Sequence, residues 1–161
     1  MEDLLLLLKD LETGMLAEAM RKSPWLFPIV NTLHILGIAL LFGAVSCLDL
    51  RLMGAWKTVP VPGLSRIVVP VAGTGLGLAL ATGVLLFLTR ASRYAQNPVF
   101  QIKMGLIVLA LVNLALLHRS AAWKAAQEGT ATEGRRVAWA GFLSMLLWLG
   151  VLIAGRIIAY W

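Results

Sequence analysis

Charge is what this sequence has least of. Only 14% of its residues are Asp, Glu, Lys or Arg, against 60% hydrophobic, and the mean hydropathy is +0.85. Soluble domains carry about 25% charged and about 45–50% apolar residues. A soluble chain this oily would leave apolar surface in water, so a bilayer is the expected surrounding. Cysteine is nearly absent too: Cys47 stands alone, which excludes an intrachain disulfide, a CxxC pair and a thiolate cage for a metal. No hydrolytic triad, pair of catalytic carboxylates or glycine-rich phosphate loop is visible. A basic leader is missing as well, because the chain starts Met1, Glu2, Asp3 and its first apolar run, Leu4 to Leu8, is too short for a signal core. The expectation is that the helices themselves direct insertion.

Positive charge does exceed negative, giving a net +6. The basic residues lie between apolar runs and form no dense cluster or stripe. That is the pattern of membrane flanks, so lipid is the expected partner and nucleic acid is not.

What the sequence has in quantity is long apolar runs, and a spanning helix needs about 20 residues. Pro28 to Leu48 and Ile67 to Thr89 carry no formal charge, and Val137 to Gly155 continues through Arg156 to Trp161. A fourth run, Leu106 to Leu117, spans only when extended back to Pro98, which places Lys103 about five residues inside its end, where an ammonium can snorkel outward. Trp25, Trp56, Trp123, Trp139, Trp161, Tyr94 and Tyr160 fall near the proposed ends, and only Trp148 is mid-helix. The predicted fold is therefore an all-α integral membrane protein. A four-transmembrane-helix bundle over 23–161, with spans near 28–48, 67–89, 98–117 and 137–159, follows an amphipathic interfacial helix over 1–22. Leu4, Leu8, Leu11 and Met15 give that first helix its apolar stripe. Asp49 to Arg66 reads as a structured loop, Arg90 to Asn97 as a short turn, and His118 to Arg136 as a polar loop with Gly129 and Gly134.

Four spans place both termini on one membrane face, face A. Lys9, Arg21, Lys22, Arg90 and Arg93 belong to it; Arg51, Lys57, Arg66, Arg119, Lys124, Arg135 and Arg136 belong to face B. At five against seven, the positive-inside rule leans toward face B as cytoplasmic, with the termini on the periplasmic side of a bacterial inner membrane; Lys103 and Arg156 counted with face A make it seven on each face. Helix packing is foreshadowed in span two, whose small residues fall in two rows: Gly73, Gly77, Ala81 and Gly75, Ala79, Gly83. Such rows let backbones approach closely where lipid offers no hydrophobic drive for association.

Ionisable groups at membrane depth are costly, so each invites a functional reading. His34 lies roughly 9 Å below face A at helical rise, Lys103 about 7 Å and Arg156 about 5 Å, with Asn31 one turn above His34 and Thr82 and Gly83 near its level. An imidazole below two cations suits a haem b whose iron takes His34 and whose propionates meet Lys103 and Arg156. Met104 has a suitable depth for a sixth ligand. His118 lies roughly 20 Å deeper than His34 along the membrane normal. The two histidines therefore cannot share one iron, and His118, beside Asp49, Arg51 and Arg119, would serve a second site or handle protons.

The residues Asn31, Thr32, Leu33, His34 early in span one, Asp49, Leu50, Arg51, Leu52 at its end, Lys103 opening span three and His118 closing it resemble uncharacterised bacterial four-helix membrane proteins. These are similar to the CopD copper-resistance membrane domain and to the HemJ-type protoporphyrinogen oxidase, a b-haem protein. The resemblance covers roughly residues 24 to 160. It implies a haem-ligating role for His34, and Lys103 and His118 resemble the oxidase's third-helix lysine and histidine at a spacing longer here by about one turn. The function expected is haem-based electron transfer or oxidation of a lipophilic partner such as a quinol or porphyrinogen, with a quinone or porphyrin as ligand. Two alternatives stand beside it. One is a copper-handling domain, against which the six methionines form no ladder and Cys47 has no partner. The other is a non-catalytic subunit of a homo-oligomer or larger membrane complex.

Overall fold

The computed structural model describes residues 2–128 and 134–160, with side chains from residue 6 onward. Eight α-helices follow one another: α1 (Glu2–Thr13), α2 (Met15–Lys22), α3 (Leu26–Leu52), α4 (Val61–Leu88), α5 (Ala91–Gln96), α6 (Pro98–Arg119), α7 (Ala121–Gln127) and α8 (Arg135–Ile157), the last running into a 3-10 turn at Ile158–Tyr160. Four of them, α3, α4, α6 and α8 with its final turn, are long and apolar enough to cross a bilayer, at mean hydropathies of 2.0 to 2.1. The all-α, four-span bundle read from the sequence is the fold. Gly129 and Trp161 and the side chain of Leu4 lie outside the described residues.

The ends of the helices follow from local chemistry. Ser23 Oγ accepts from the Leu26 amide at 3.2 Å, so the serine before Pro24 caps the entry to α3. Pro60 and Pro62 flank Val61 at the start of α4, where missing amide donors cost nothing. Asn97 opens α6 by accepting from Val99 N at 2.8 Å and Phe100 N at 3.2 Å, with Pro98 in the first turn. Ser120 ends α6 and caps α7 through the Trp123 amide at 3.1 Å.

Several sequence boundaries are corrected. The span helices overrun their apolar runs, so the connection expected from Asp49 to Arg66 shrinks to Met53–Pro60, with Arg51 Nε and Nη2 donating to the Val59 and Lys57 carbonyls at 2.6 and 3.3 Å. The expected turn at Arg90 to Asn97 is the helix α5, and the loop expected after His118 contains α7. The N-terminal segment is two helices rather than one. Gly14 adopts extended backbone (ψ 151°), which resets the helical phase. Met15, beyond that break, leaves the stripe and is exposed, and within α1 Leu8 is buried while Leu11 is exposed. The pair also does more than lie on a surface, because it is tied to the α4–α6 connection. Glu12 Oε1 accepts from both the amide and the hydroxyl of Ser92 at 2.7 Å, and Arg21 donates to the Thr89 carbonyl at 3.2 Å and the Glu12 carbonyl at 2.6 Å.

The spans pack in the order α4, α3, α8, α6, and α4 and α6 barely touch. Burial follows that order: 28% and 33% of the apolar stretches of α3 and α8 are buried, against 11% and 6% for α4 and α6. The tightest seam is α3 against α4. A Cβ on Gly75 would stand 2.5 Å from the Leu41 amide nitrogen and 2.7 Å from the Gly37 oxygen, and one on Gly37 would stand 2.7 Å from the Ala79 nitrogen. Of the two small-residue rows in α4, the one with Gly75, Ala79 and Gly83 is pressed on α3; Gly73 and Gly77 meet nothing within 4 Å.

That asymmetry predicts opposite outcomes for one substitution. Gly75→Ala puts a methyl into backbone and is expected to destabilise by about 1–3 kcal/mol. Gly77→Ala fills open space and is expected to be neutral or stabilising by up to about 1 kcal/mol. Denaturant unfolding in micelles checks both. The N-terminal tie predicts a pH effect. The hydrogen bonds from the Ser92 hydroxyl and amide, helped by Arg21 and Lys9 and opposed by partial burial, hold the Glu12 carboxyl below its ordinary 4.5. A depressed carboxylate contributes stability that is present above its unfolded value and lost on acidification through its folded value. The protection of the Ser92 amide, taken relative to the free-amide exchange rate at each pH, is expected to hold at neutral pH and to drop as pH falls below about 4.5, and Glu12→Gln removes that dependence.

A candidate ligand cleft between α4 and α6

Because α4 and α6 do not pack together, the bundle has an open side, and the short helices close its two ends. Towards face A, α5 links the two spans, and Phe87 of α4, Tyr94 of α5 and Phe100 of α6 form an aromatic bracket with centroids 5.5 to 6.4 Å apart. Towards face B, α7 crosses back to α4. Trp123 joins Leu48, Leu52, Val61 and Val137 in a buried cluster, and Gln127 Nε2 donates to Ser65 Oγ at 2.9 Å. What remains is a window at membrane depth. Behind it lies a cavity of about 60 Å³, or about 480 Å³ counting its open mouth. Its walls are apolar, among them Phe42, Leu76, Ile107 and Trp148, except for His34 and Lys103 at the end nearer face A.

His34 is held by α4. Its Nδ1 lies 3.0 Å from Thr82 Oγ1, and the ring lies over Gly83, where a Cβ would approach Cε1 to 3.1 Å. The threonine hydroxyl has one hydrogen, and its oxygen lies 2.5 Å from the Leu78 carbonyl, a distance only a donated hydrogen allows. The proton between Thr82 and His34 therefore sits on Nδ1. The Ala79 carbonyl also faces the imidazole, which again calls for a ring N–H turned to α4. In the neutral ring Nε2 then carries a lone pair, and no described residue donates to it.

Lys103 reaches the same cavity from α6, with Nζ 3.5 Å from where a Gly155 Cβ would stand. No carboxylate among the described residues pairs with it. The depth reading that put Lys103, Thr82 and Gly83 level with His34 matches this geometry.

Other predicted site residues go elsewhere. Arg156 is exposed; its Nη2 donates to Tyr160 Oη at 2.7 Å and its guanidinium lies 5.0 Å over that ring. One residue of the final turn, Tyr160, thus takes with its hydroxyl and its ring a cation expected at the cleft. Asn31 and Met104 are exposed and are not among the residues that line this cavity. His118 donates Nδ1–H to the Leu114 carbonyl at 3.0 Å and packs tilted against Trp123, ring centroids 4.7 Å apart. Asp49, expected beside it, points instead at α8, where Ser144 hydrogen-bonds its carboxylate and Gly141 packs on its backbone. Among the described residues no cluster of three or more His, Cys, Asp or Glu forms a metal site.

No family model, curated protein or solved structure matches the chain.

Haem b, the group the resemblance implies, can be tested against these side chains. A bare Nε2 and one ammonium suit it. The space does not: the cavity between the helices measures only about 60 Å³ short of its open mouth, too little for a flat macrocycle. Arg156 and Asn31 are turned away, and no second axial ligand faces His34. In this packing the residues do not hold a haem between the helices.

Reasoning on the sequence alone missed Thr82 as the partner of His34, Trp148 as a cavity wall and Ser144 as the partner of Asp49. Thr82 carried a signal, being a hydroxyl next to Gly83 at the depth of His34; the other two depended on helix rotation. Asp49 is 4% exposed and its Oδ2 has no hydrogen-bond partner. Since a buried, unsatisfied carboxylate oxygen is costly, Asp49→Asn is expected to fold at least as stably as the parent, as read by thermal unfolding in micelles.

Proposed function

We propose that this chain is a membrane-embedded binding protein for a lipophilic ring compound with a polar head, of the quinol class, taken up through the α4–α6 window; a porphyrinogen, as large as haem, is left out on the same ground of space. The supporting observation is the cleft itself: apolar walls, a mouth at membrane depth, and two polar groups, His34 and Lys103, at one end. Ligand sites of this kind are largely apolar with a few convergent polar groups that fix orientation. Positive-inside counting places that end on the periplasmic side of a bacterial inner membrane. Redox chemistry on the bound ring belongs to this proposal as the use to which binding is put.

A second reading, a haem b on His34, is favoured by one observation, the lone pair left on Nε2. It requires α4 and α6 to part. The copper reading has no sulfur cluster at the cleft to support it.

Calorimetric titration of the micellar protein with a decyl-chain benzoquinol is expected to saturate. His34→Ala and Lys103→Met are each expected to weaken binding by about tenfold or more, the scale of one lost hydrogen bond to a desolvated or charged group. Protein purified from haem-replete cells is expected to be colourless. A Soret band abolished by His34→Ala, with no quinol binding, would replace the first reading by the second.

A further inference from the structure

We infer that the cleft selects the reduced, hydroxyl-bearing form of its ring ligand over the oxidised carbonyl form. The inference rests on the binding function proposed above and concerns which ligand chemistry the two polar groups accept.

The Thr82 hydroxyl donates to Leu78, so it takes the imidazole proton on Nδ1 and fixes the tautomer. Nε2 is thereby an acceptor only. Lys103 Nζ is a donor only, and no described carboxylate neutralises it. The site thus presents one acceptor and one cationic donor in an apolar, lipid-facing cleft. A quinol answers both, because its O–H donates to Nε2 and an oxygen lone pair accepts from Lys103. A quinone has acceptors alone. It satisfies the ammonium but leaves the Nε2 lone pair facing another lone pair or nothing, and an unpaired polar group in such a place is costly. Thr82 is the positioning residue of this selectivity. It touches no ligand, and acts by deciding which imidazole nitrogen is bare.

The route of entry agrees with that ligand class. The Phe87, Tyr94 and Phe100 bracket closes the cleft towards face A, and α7 with Trp123 closes it towards face B. A compound that reaches His34 must come sideways out of the acyl chains, polar head towards face A and apolar body along Leu76, Ile107 and Trp148.

The test is an anaerobic titration of the full chain in micelles with a decyl-chain benzoquinol and with the matching benzoquinone, together with ¹⁵N shifts of the His34 ring. The expected result is tighter quinol binding by about tenfold or more, the penalty of one unsatisfied acceptor. Nδ1 is expected to appear protonated and Nε2 bare. In Thr82→Val the preference is expected to shrink towards equality, while Lys103→Met weakens both forms alike. Quinone binding as tight as quinol, or a proton on Nε2 of the parent protein, overturns the selectivity and leaves the binding function standing. Failure of both forms to bind overturns the two together. The ring shifts of the parent decide the matter even where Thr82→Val does not fold.

Discussion

The contact on which the rest depends is the meeting of two backbones at Gly37 and Gly75. With lipid on every side there is no hydrophobic gain in bringing α3 and α4 together, so association rests on van der Waals contact and close approach. Small residues at 37, 75 and 79 allow it. α4 is drawn tightly to α3 and does not pack on α6, so the bundle stays open on one side. The same seam, two turns nearer face A, carries Thr82 and Gly83 against His34. One packing decision thus creates the opening and orients the imidazole behind it.

The electrostatic character of the cleft follows from how few polar groups enter it. A cation without a counter-ion and a neutral ring with a lone pair would be unremarkable in water. Among Phe42, Leu76, Ile107 and Trp148 they face little competition from solvent. Under the proposed binding function, each would discriminate by what it fails to pair with as much as by what it binds. Arg156, satisfied by Tyr160, shows the alternative. Given an aromatic hydroxyl one turn away, a cation near the interface leaves the site altogether.

Much of this architecture was legible in the sequence because bilayer thickness imposes a length on apolar runs, and because helical rise converts residue number into depth. His34, Lys103, Thr82 and Gly83 were placed at one level on that basis, and the structure brings them together. Rotation about each helix axis was not legible. Arg156 and Asn31 have the right depth and the wrong azimuth, and the spans carry no strong amphipathic stripe to fix it, since lipid and neighbouring helices are equally apolar. Short polar stretches also misled. Gly14 breaks what looked like one amphipathic helix, and α5 and α7 were read as turn and loop because six or seven residues show no convincing period. The aromatic bracket needed three residues from three elements, a relation no local pattern contains.

Those two short helices bear on the molecule in another way. Apart from α8, α5 and α7 are the elements that hold α6 in place, so the gauge of the opening is set by connectors outside the membrane core. Lengthening or trimming either brace would change how wide a molecule can pass while leaving every residue of the pocket wall untouched. Variants with the same imidazole and lysine but altered braces would therefore differ in the width of the cleft alone.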